Sequence, residues 1–383
     1  MHTVIAERIL NSAKKTMKDF VLVSRSDSTL RGHYPLETET LKTSIENMSN
    51  LRFDGEILCP FFLEGDRLTI NGVHYYKEGD VLIPVGQTEF SKDASFPYTQ
   101  SRLPEWIEEK TKGAYPASKV KHIPINWLQG VHDDLVYEAL MQTTGFNKVV
   151  VDAVSYSDIK VFVAGYIKAV NRGKRFLFRS AAAIPKVLAG VKDKPLLTRE
   201  DLQTNSINGG LIVVGSHVKK TSRQLENLLG TFPQIVALEF FVEKVLEENG
   251  LEQETSRLHD AAQKIISKGN TVCIYTSRKY MKVPGREEEK IKRSVMISDA
   301  VTDIVRRLSV KPAFIIAKGG ITSSDIGVNG LSVRKALVLG QILPGIPVWL
   351  TDEDSKYGKM PYVIFPGNVG QDDTLSEVVA KLI

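Results

Sequence analysis

Residues 20–34 read FVLVSRSDSTLRGHY, and this stretch decides how the first half of the chain folds. The apolar run at residues 20–23 predicts a short strand that stops at Ser24. Polar and turn-forming residues fill positions 24–32, and a helix is predicted from about residue 35 to residue 48. Ligands of open α/β sheets bind at the carboxyl ends of strands, so residues 24–32 are in the position of a substrate loop.

Strands and helices alternate outward from this stretch. A helix is predicted before it, over residues 4–17, and turn signals predict a small hairpin between residues 60 and 98. Further strands are predicted at residues 56–59, 121–124, 148–152, 176–179, 211–214, 234–238, 271–275, 313–317 and 348–350. Because strands that alternate with helices form parallel β-α-β units, the fold class is α/β, with two α/β domains of largely parallel sheets.

The polar stretch at residues 193–208 is the best candidate for a linker between the domains. We assign residues 1–200 to a first domain and residues 208–383 to a second one.

Composition excludes several classes of protein. The 383 residues include 50 basic and 45 acidic side chains, and the net charge of +5 comes without the Lys/Arg blocks of a nucleic-acid binder. Cys59 and Cys273 each lie in an apolar run, which predicts buried free thiols and a reducing cytoplasm. No signal peptide or membrane span is visible, so we expect a soluble, cytoplasmic protein without nucleic-acid or membrane partners.

The loop at residues 24–32 carries the first candidate site. The guanidinium groups of Arg25 and Arg31 can fork onto a carboxylate, and Asp27 with the neighbouring hydroxyls can bind sugar hydroxyls. His33 is placed to touch an anionic substrate. The alternative is that Asp27 or Ser28 caps a turn and that the arginines are solvated, and the pattern alone leaves both open.

Three glycine-bearing turns follow predicted strands of the second domain. They contain Gly319-Gly320, the segment Gly367-Asn368-Val369-Gly370, and Gly215-Ser216. Backbone amides at such turns favour phosphate, although none has the Walker or the GxGxxG spacing, and plain capped turns are the alternative. Because all three follow predicted strands, the sequence predicts one shared crevice.

Other motifs give no support for different chemistry. The histidines at 74, 122, 132, 217 and 259 lack metal-ligand spacing, and no GxSxG elbow or Cys/His pair is present. The charged run at residues 286–293 is typical of a solvated helix start.

Four segments together resemble the four-carbon acid sugar kinase family. They are SRSDSTLRG at 24–32, GSHVKKTSRQ at 215–224, GGITSSDIG at 319–327 and GNVGQDD at 367–373. Members of that family phosphorylate threonate-like, erythronate-like or 2-oxo-tetronate acids with ATP. The resemblance implies an N-terminal sugar-acid domain, a C-terminal nucleotide domain, and catalysis in a cleft between them.

The resemblance also implies roles for individual residues. Asp27 and Arg31 belong to the sugar-acid pocket. Our own hypothesis is that Asp27 is the carboxylate that orients the attacking hydroxyl. Arg25, Ser28, Thr29 and His33 are their neighbours on the substrate side. ATP and Mg²⁺ are the implied cofactors, a small sugar acid is the implied partner, and a homo-oligomer is left open. The implied ATP site consists of Ser216, Gly319, Gly320, Ile321, Thr322, Gly367, Asn368 and Gly370.

The sequence departs from the family pattern in three places. Ile321 stands where the glycine pair is commonly followed by an acidic residue, and His217-Val218 replaces the usual Cys-Ser. An opening strand with an Asp-Asp-x-Thr-Gly loop has no counterpart, which corresponds to about 70 to 100 family positions, or two to three β-α units. A kinase is therefore the leading hypothesis. The alternatives are a non-catalytic relative that binds nucleotide or sugar acid, and a dehydrogenase-like dinucleotide enzyme.

Overall fold

The computed structural model describes residues 1–202, 206–216, 218–278 and 287–383, which form two compact units, Met1–Asp193 and Lys194–Ile383. The helices are α1 (His2–Thr16), α2 (Leu36–Met48), α3 (Leu103–Lys110), α4 (Ile125–Gln129), α5 (Asp133–Met141), α6 (Tyr156–Asn171), α7 (Ala183–Leu188), α8 (Arg199–Leu202), α9 (Lys219–Thr231), α10 (Gly250–Ser267), α11 (Glu287–Arg307), α12 (Gly320–Asp325) and α13 (Thr374–Ala380). The strands are β1 (Leu22–Arg25), β2 (Gly55–Cys59), β3 (Arg67–Ile70), β4 (Val73–Glu78), β5 (Val81–Pro84), β6 (Lys121–Ile123), β7 (Asn147–Val151), β8 (Phe176–Ser180), β9 (Leu211–Val214), β10 (Val236–Phe240), β11 (Val272–Thr276), β12 (Ile315–Lys318), β13 (Ala336–Leu343), β14 (Ile346–Thr351) and β15 (Pro361–Phe365).

The first unit is built on a five-stranded sheet in the order β1-β8-β2-β7-β6, and every neighbouring pair is parallel. Strand β2 is buried at all its positions because the sheet is covered on both faces. Ile57 packs into one apolar cluster and Leu58 into another on the opposite face. The parallel pairing brings the carboxyl ends of all five strands to one edge, which is where the loop after β1 begins.

A three-stranded antiparallel sheet, β3-β4-β5, follows β2 in the first unit. Asn71 and Gly72 both have positive φ, 52° and 75°, as a tight hairpin turn between β3 and β4 requires. This sheet is the hairpin that the turn signals predict, with one more strand. It supplies side chains that support the loop after β1.

The second unit contains a seven-stranded sheet in the order β10-β11-β9-β12-β15-β14-β13. Its first five strands are parallel, and β14 and β13 continue the sheet antiparallel at one edge. Strands β9 and β12 lie in the middle and are buried at every position, because helices such as α10 and α11 cover the sheet.

The α/β fold class and the two units of largely parallel sheets are confirmed. Strand β1 differs from its prediction: it begins at Leu22 and extends to Arg25, because Ser24 and Arg25 pair with Arg179 and Ser180 of β8. Arg25 therefore ends a strand instead of lying in the loop. Strand β13 was not predicted.

The segment proposed as a linker contains helix α8, and part of it packs on the second unit. The amide of Leu197 donates to the carbonyl of Gln341 at 2.8 Å, so the division between units falls before the predicted boundary at residue 200. His217 and the start of the charged run at 286–293 lie outside the described residues.

Both cysteines are buried free thiols, as predicted, and burial raises the pKa of each to about 12. Within the described ranges, no helix is both long enough and apolar enough to cross a membrane.

Candidate functional site

The loop after β1 is held in a defined shape. The amide of Ser26 donates to the carbonyl of Ser180 at 2.8 Å, which continues the pairing with β8 for one residue. Leu30 is buried with a φ of 68°, and Gly32 has a φ of 121°. Left-handed backbone at a buried leucine is costly, and surrounding contacts must hold it.

Asp27 is the carboxylate at the centre of this loop. Its side chain accepts hydrogen bonds from the amide and the hydroxyl of Thr29 and from Nε of Arg31, which lies 2.6 Å from Oδ2. Burial alone would raise the pKa of Asp27, but the charge of Arg31 and these hydrogen bonds outweigh it, so the pKa is below its usual value. Asp27 is therefore ionised at neutral pH.

Arg31 lies between two carboxylates. Its Nε contacts Asp27, and its Nη1 lies 3.3 Å from Oδ2 of Asp93, while the guanidinium carbon is 5.4 Å from the centre of the Phe90 ring. Burial opposes its charge, but the two carboxylates outweigh that effect and raise the pKa of Arg31. The Arg31 guanidinium is thus already paired with two carboxylates of the protein.

The other predicted substrate residues differ in how they face solvent. Arg25 and His33 are exposed, and within the described ranges no partner holds the Arg25 guanidinium. The His33 ring meets Phe96 edge-on at 4.9 Å. Ser28 and Thr29 are buried, and the Thr29 hydroxyl points at Asp27. Thr29 therefore positions Asp27 and does not face solvent.

Side chains from other elements anchor the loop carbonyls. His74 Nε2 lies 2.7 Å from the Ser28 carbonyl, and the Tyr98 hydroxyl donates to the Thr29 carbonyl at 2.7 Å. Arg179, which is buried, donates to the Arg31 carbonyl at 3.3 Å. Three carbonyls of this one loop are thereby held by residues far away in the sequence.

In the second unit the three glycine-bearing turns follow β9, β12 and β15, which are neighbours in the sheet. Parallel pairing places their carboxyl ends side by side. The Thr221 hydroxyl is 3.2 Å from the Ser216 hydroxyl and donates to the Gly367 carbonyl at 3.0 Å, so it joins the first and third turns. The predicted convergence of the turns is present in this unit.

The turns approach one another too closely for larger residues. A Cβ built on Gly367 would lie 2.6 Å from Oγ of Ser216, and one on Gly319 would lie 3.0 Å from Oγ1 of Thr322. Gly319 also has a φ of 127°, which side chains rarely adopt. At Gly320, by contrast, nothing lies within 4 Å of such an atom. The glycine pair thus has one packed and one open member, the open one at the start of α12.

Two protein-family models match the chain, a sugar-binding N-terminal domain over residues 3–188 and a nucleotide-binding C-terminal domain over residues 211–375. The chain belongs to the four-carbon acid sugar kinase family. Its first unit contains the family's sugar-binding domain, and its second unit contains the nucleotide-binding domain.

Solved structures support the fold of this family member. One from Salmonella typhimurium LT2, described as a candidate tRNA synthase, aligns with a TM-score of 0.64 at 15% identity and covers 99% of this chain and 85% of that chain. A Haemophilus influenzae protein aligns with a TM-score of 0.57 at 18% identity, and the alignment covers 99% of this chain and 85% of that protein's chain. No curated protein is significantly similar in sequence.

Within the nucleotide-binding domain, the predicted residues divide into two groups. Ser216, Gly319, Thr322 and Gly367 are brought together by the contacts above. Gly370 instead faces helix α13, because a Cβ there would lie 2.6 Å from Cγ2 of Thr374. The remaining predicted residues are Gly320, Ile321 and Asn368. Ile321 is 74% exposed, so it is an accessible apolar side chain beside the turns.

Metal ligands are not clustered in the part of the chain that the structure describes. There, no group of three or more His, Cys, Asp or Glu side chains is placed to hold an ion.

Several supporting residues are not evident from local sequence. Asp93 reaches Arg31 across 62 positions, and Arg278, which follows β11, donates to the Ser216 carbonyl at 2.6 Å. His74 carries one weak signal: the two-residue period of a strand places it on the same face as Tyr76, and both are buried.

Proposed function

We propose that this chain is an ATP-dependent kinase that phosphorylates a hydroxyl of a small sugar acid with about four carbons. The observation that carries the proposal is the pairing, in one chain, of a sugar-binding and a nucleotide-binding domain of this family. The loop after β1 and the three glycine-bearing turns are the sites that we assign to the two substrates.

Asp27 is the residue that we assign to the attacking hydroxyl. Its carboxylate is kept ionised by Arg31 and Thr29, so it can accept the hydrogen bond of a substrate hydroxyl and orient the oxygen. In phosphoryl transfer, positioning and electrostatic stabilisation account for most of the catalysis. A weakly basic, fixed carboxylate fits that requirement.

The substrate carboxylate is assigned to two exposed side chains, Arg25 at the end of β1 and His33 in the loop that follows. Arg25 is solvent-facing and His33 lies one residue beyond Gly32, whereas Arg31 is engaged by Asp27 and Asp93. We therefore give Arg25 the larger share of carboxylate binding and give Arg31 the role of holding Asp27.

The nucleotide phosphates are assigned to the turns after β9, β12 and β15. Nothing lies within 4 Å of a Cβ built on Gly320, so no neighbouring side chain covers the backbone at the start of α12. Bound Mg²⁺-ATP would supply the transferable phosphoryl group and neutralise part of its charge. The chain's own contribution is to bind and orient the phosphates.

The buried thiols favour a reducing compartment, so we place the enzyme in the cytoplasm, with a sugar acid as its small-molecule partner. A homo-oligomer is compatible with this assignment.

The test is an ADP-release assay with a panel of four-carbon sugar acids, comparing the unchanged chain with Asp27→Asn. We expect the substitution to lower kcat by at least about 100-fold, as is typical for loss of a group that acts in proton transfer. Asp19→Asn is the matched control, because Asp19 is 93% exposed and lies in the same unit. Its kcat should equal that of the unchanged chain.

Thermal-shift measurements with ATP and with NAD, made beside the ADP-release assay, distinguish the alternatives. ATP-dependent stabilisation without ADP release for any acid would indicate a non-catalytic binding protein, and stabilisation by NAD alone would indicate a dinucleotide enzyme. Full activity of a folded Asp27→Asn would remove Asp27 from the reaction while leaving the kinase proposal standing.

A further inference from the structure

Lys318 places a buried amino group at the centre of the three turns. It is the last residue of β12, immediately before Gly319-Gly320, and its exposed fraction is 0%. In the sheet it is paired on one side with Val214 of β9 and on the other with Phe365 of β15. The strand therefore delivers this amino group to the place where all three turns begin.

The surroundings of Lys318 do not balance its charge. Its Nζ donates to the Pro366 carbonyl at 3.3 Å and lies 3.7 Å from the centre of the Phe365 ring, and no carboxylate contacts it among the residues that the structure describes. Burial, and to a lesser degree the charge of Lys220, holds the pKa of Lys318 well below its usual value. A buried lysine without an anion is costly unless an anion joins it.

Lys148 is a second buried lysine, and its charge is balanced by a carboxylate. Lys148 is equally inaccessible, but its Nζ contacts the Glu56 carboxylate at 2.5 Å in the neighbouring strand. Lys318 has a carbonyl and an aromatic ring where Lys148 has a carboxylate. The missing partner of Lys318 is thus an anion at the turns.

We propose that Lys318 is a positioning residue for the nucleotide phosphates: its amino group orients the Pro366–Gly367 turn and provides the positive charge that selects a polyphosphate over an uncharged nucleoside. This inference rests on the proposed nucleotide site at the turns. A phosphate beside Lys318 stabilises the protonated amine, and the turn that Lys318 holds presents Gly367 to the same ligand.

The experiment measures binding of adenosine, AMP, ADP and ATP by calorimetry to the full chain and to Lys318→Met. We expect Lys318→Met to weaken ADP and ATP binding between about 10- and 100-fold, the range for losing a charge-assisted contact, and to leave adenosine binding within about threefold. Lys311→Met is the matched control, because Lys311 also donates to one backbone carbonyl at 3.3 Å but is exposed. It should bind all four ligands like the unchanged chain.

Each result leads to a separate conclusion. If the unchanged chain binds none of the four ligands, the nucleotide site itself is wrong. If it binds ADP but Lys318→Met keeps the full preference for ADP over adenosine, Lys318 does not select phosphate, and an equal loss for both ligands would indicate a structural role only. If Lys318→Met does not fold, Lys318→Gln removes the charge while retaining a donor for the Pro366 carbonyl. The ratio of ADP affinity to adenosine affinity is then measured for that variant and interpreted in the same way.

Discussion

Asp27 and Arg31 show how one residue can fix the state of another. The short contact between Arg31 Nε and the Asp27 carboxylate lowers the pKa of the acid and raises that of the base. Asp93 on the far side of Arg31 keeps the guanidinium in place. Arg31 held in this way mainly sets the ionisation of Asp27, and it contributes less to binding the substrate carboxylate.

We expect Arg31→Ala to change the pH dependence of the reaction. Without the positive charge, burial raises the pKa of Asp27, and because the ionised form is the active one, the acid limb of kcat/KM moves to higher pH. The apparent KM for the sugar acid should rise by less than in Arg25→Ala, because Arg31 is already paired with Asp27 and Asp93 and Arg25 has the larger share of carboxylate binding. Steady-state kinetics from pH 4 to pH 9 would measure both effects.

Arg102→Ala is the matched control for this variant, because Arg102 pairs with Glu105 at the surface of the same unit. An acid limb that does not move in Arg31→Ala would contradict the assigned coupling.

His74 illustrates a residue whose charge is excluded by its surroundings. Its Nε2 faces the Ser28 carbonyl and must carry the proton, while Nδ1 accepts from the Thr69 hydroxyl at 2.9 Å. Burial is the main cause that lowers the pKa of His74 to about 4. The neutral ring therefore serves as a fixed donor to the substrate loop.

A stability loss in acid follows from that lowered pKa. Between pH 6.5, the ordinary pKa of histidine, and about pH 4, His74 is protonated in the unfolded chain but neutral in the folded one. The free energy of unfolding therefore falls as pH falls. The contribution over this window is about 3 kcal/mol. Chemical unfolding of the unchanged chain and of His74→Gln from pH 7 to pH 4 should show a steeper decline for the unchanged chain. Parallel curves would disprove the assignment.

At the scale of elements, the carboxyl ends of β9, β12 and β15 matter because parallel pairing makes them neighbours. Each turn is short, and the packing of one turn on another fixes them all. Thr221 from α9 and Arg278 from the end of β11 add contacts to the turn carbonyls. The amides of Gly215 and Gly319 are already used in the sheet, where they donate to the carbonyls of Lys318 and Phe365.

The packing of the turns makes a specific substitution informative. Gly367→Ala would place a Cβ 2.6 Å from Ser216 Oγ, which forces the first and third turns apart. We expect the free energy of unfolding to fall by about 1–2 kcal/mol and ADP affinity to weaken. Gly230→Ala is the control: its Cβ meets nothing within 4 Å, and in helix α9 it should stabilise by about 0.5–1 kcal/mol. Equal behaviour of the two variants in denaturation and ADP titration would exclude packing of the turns as the cause.

Periodicity is sufficient to predict most elements, since a buried strand such as β9 is a continuous apolar run. Strand β13 is different because it lies at a sheet edge. Leu337 and Val338 are both well exposed and follow each other, and register shifts interrupt its pairing with β14. Such a strand has neither alternation nor a fully apolar face to identify it.

At the scale of the whole molecule, the sequence predicts where strands end. The turns at Gly319 and Gly367 are predicted from such strand ends. The sequence does not predict which distant side chains reach a loop. The roles of Asp93, His74 and Lys318 depend on tertiary packing. Asp93 lies in a turn-rich segment, His74 lies on a short antiparallel strand, and Lys318 is the last residue of β12, directly after an apolar run. Local pattern therefore locates the candidate sites, while their electrostatics depend on the folded chain.

The two units each have a core of their own, which leads to a prediction for the whole chain. A ligand that binds only the folded protein stabilises it, so we expect ADP at 100 times its Kd to stabilise the unit that contains residues 211–375 by about 2.7 kcal/mol. Calorimetry should then show one unfolding transition moving to higher temperature, and hydrogen exchange should slow at the amides after β9, β12 and β15. A four-carbon acid that is a substrate should instead slow exchange in residues 26–32. Protection by ADP confined to the first unit would reverse the assignment of the two sites, since a ligand slows exchange most where it contacts the backbone.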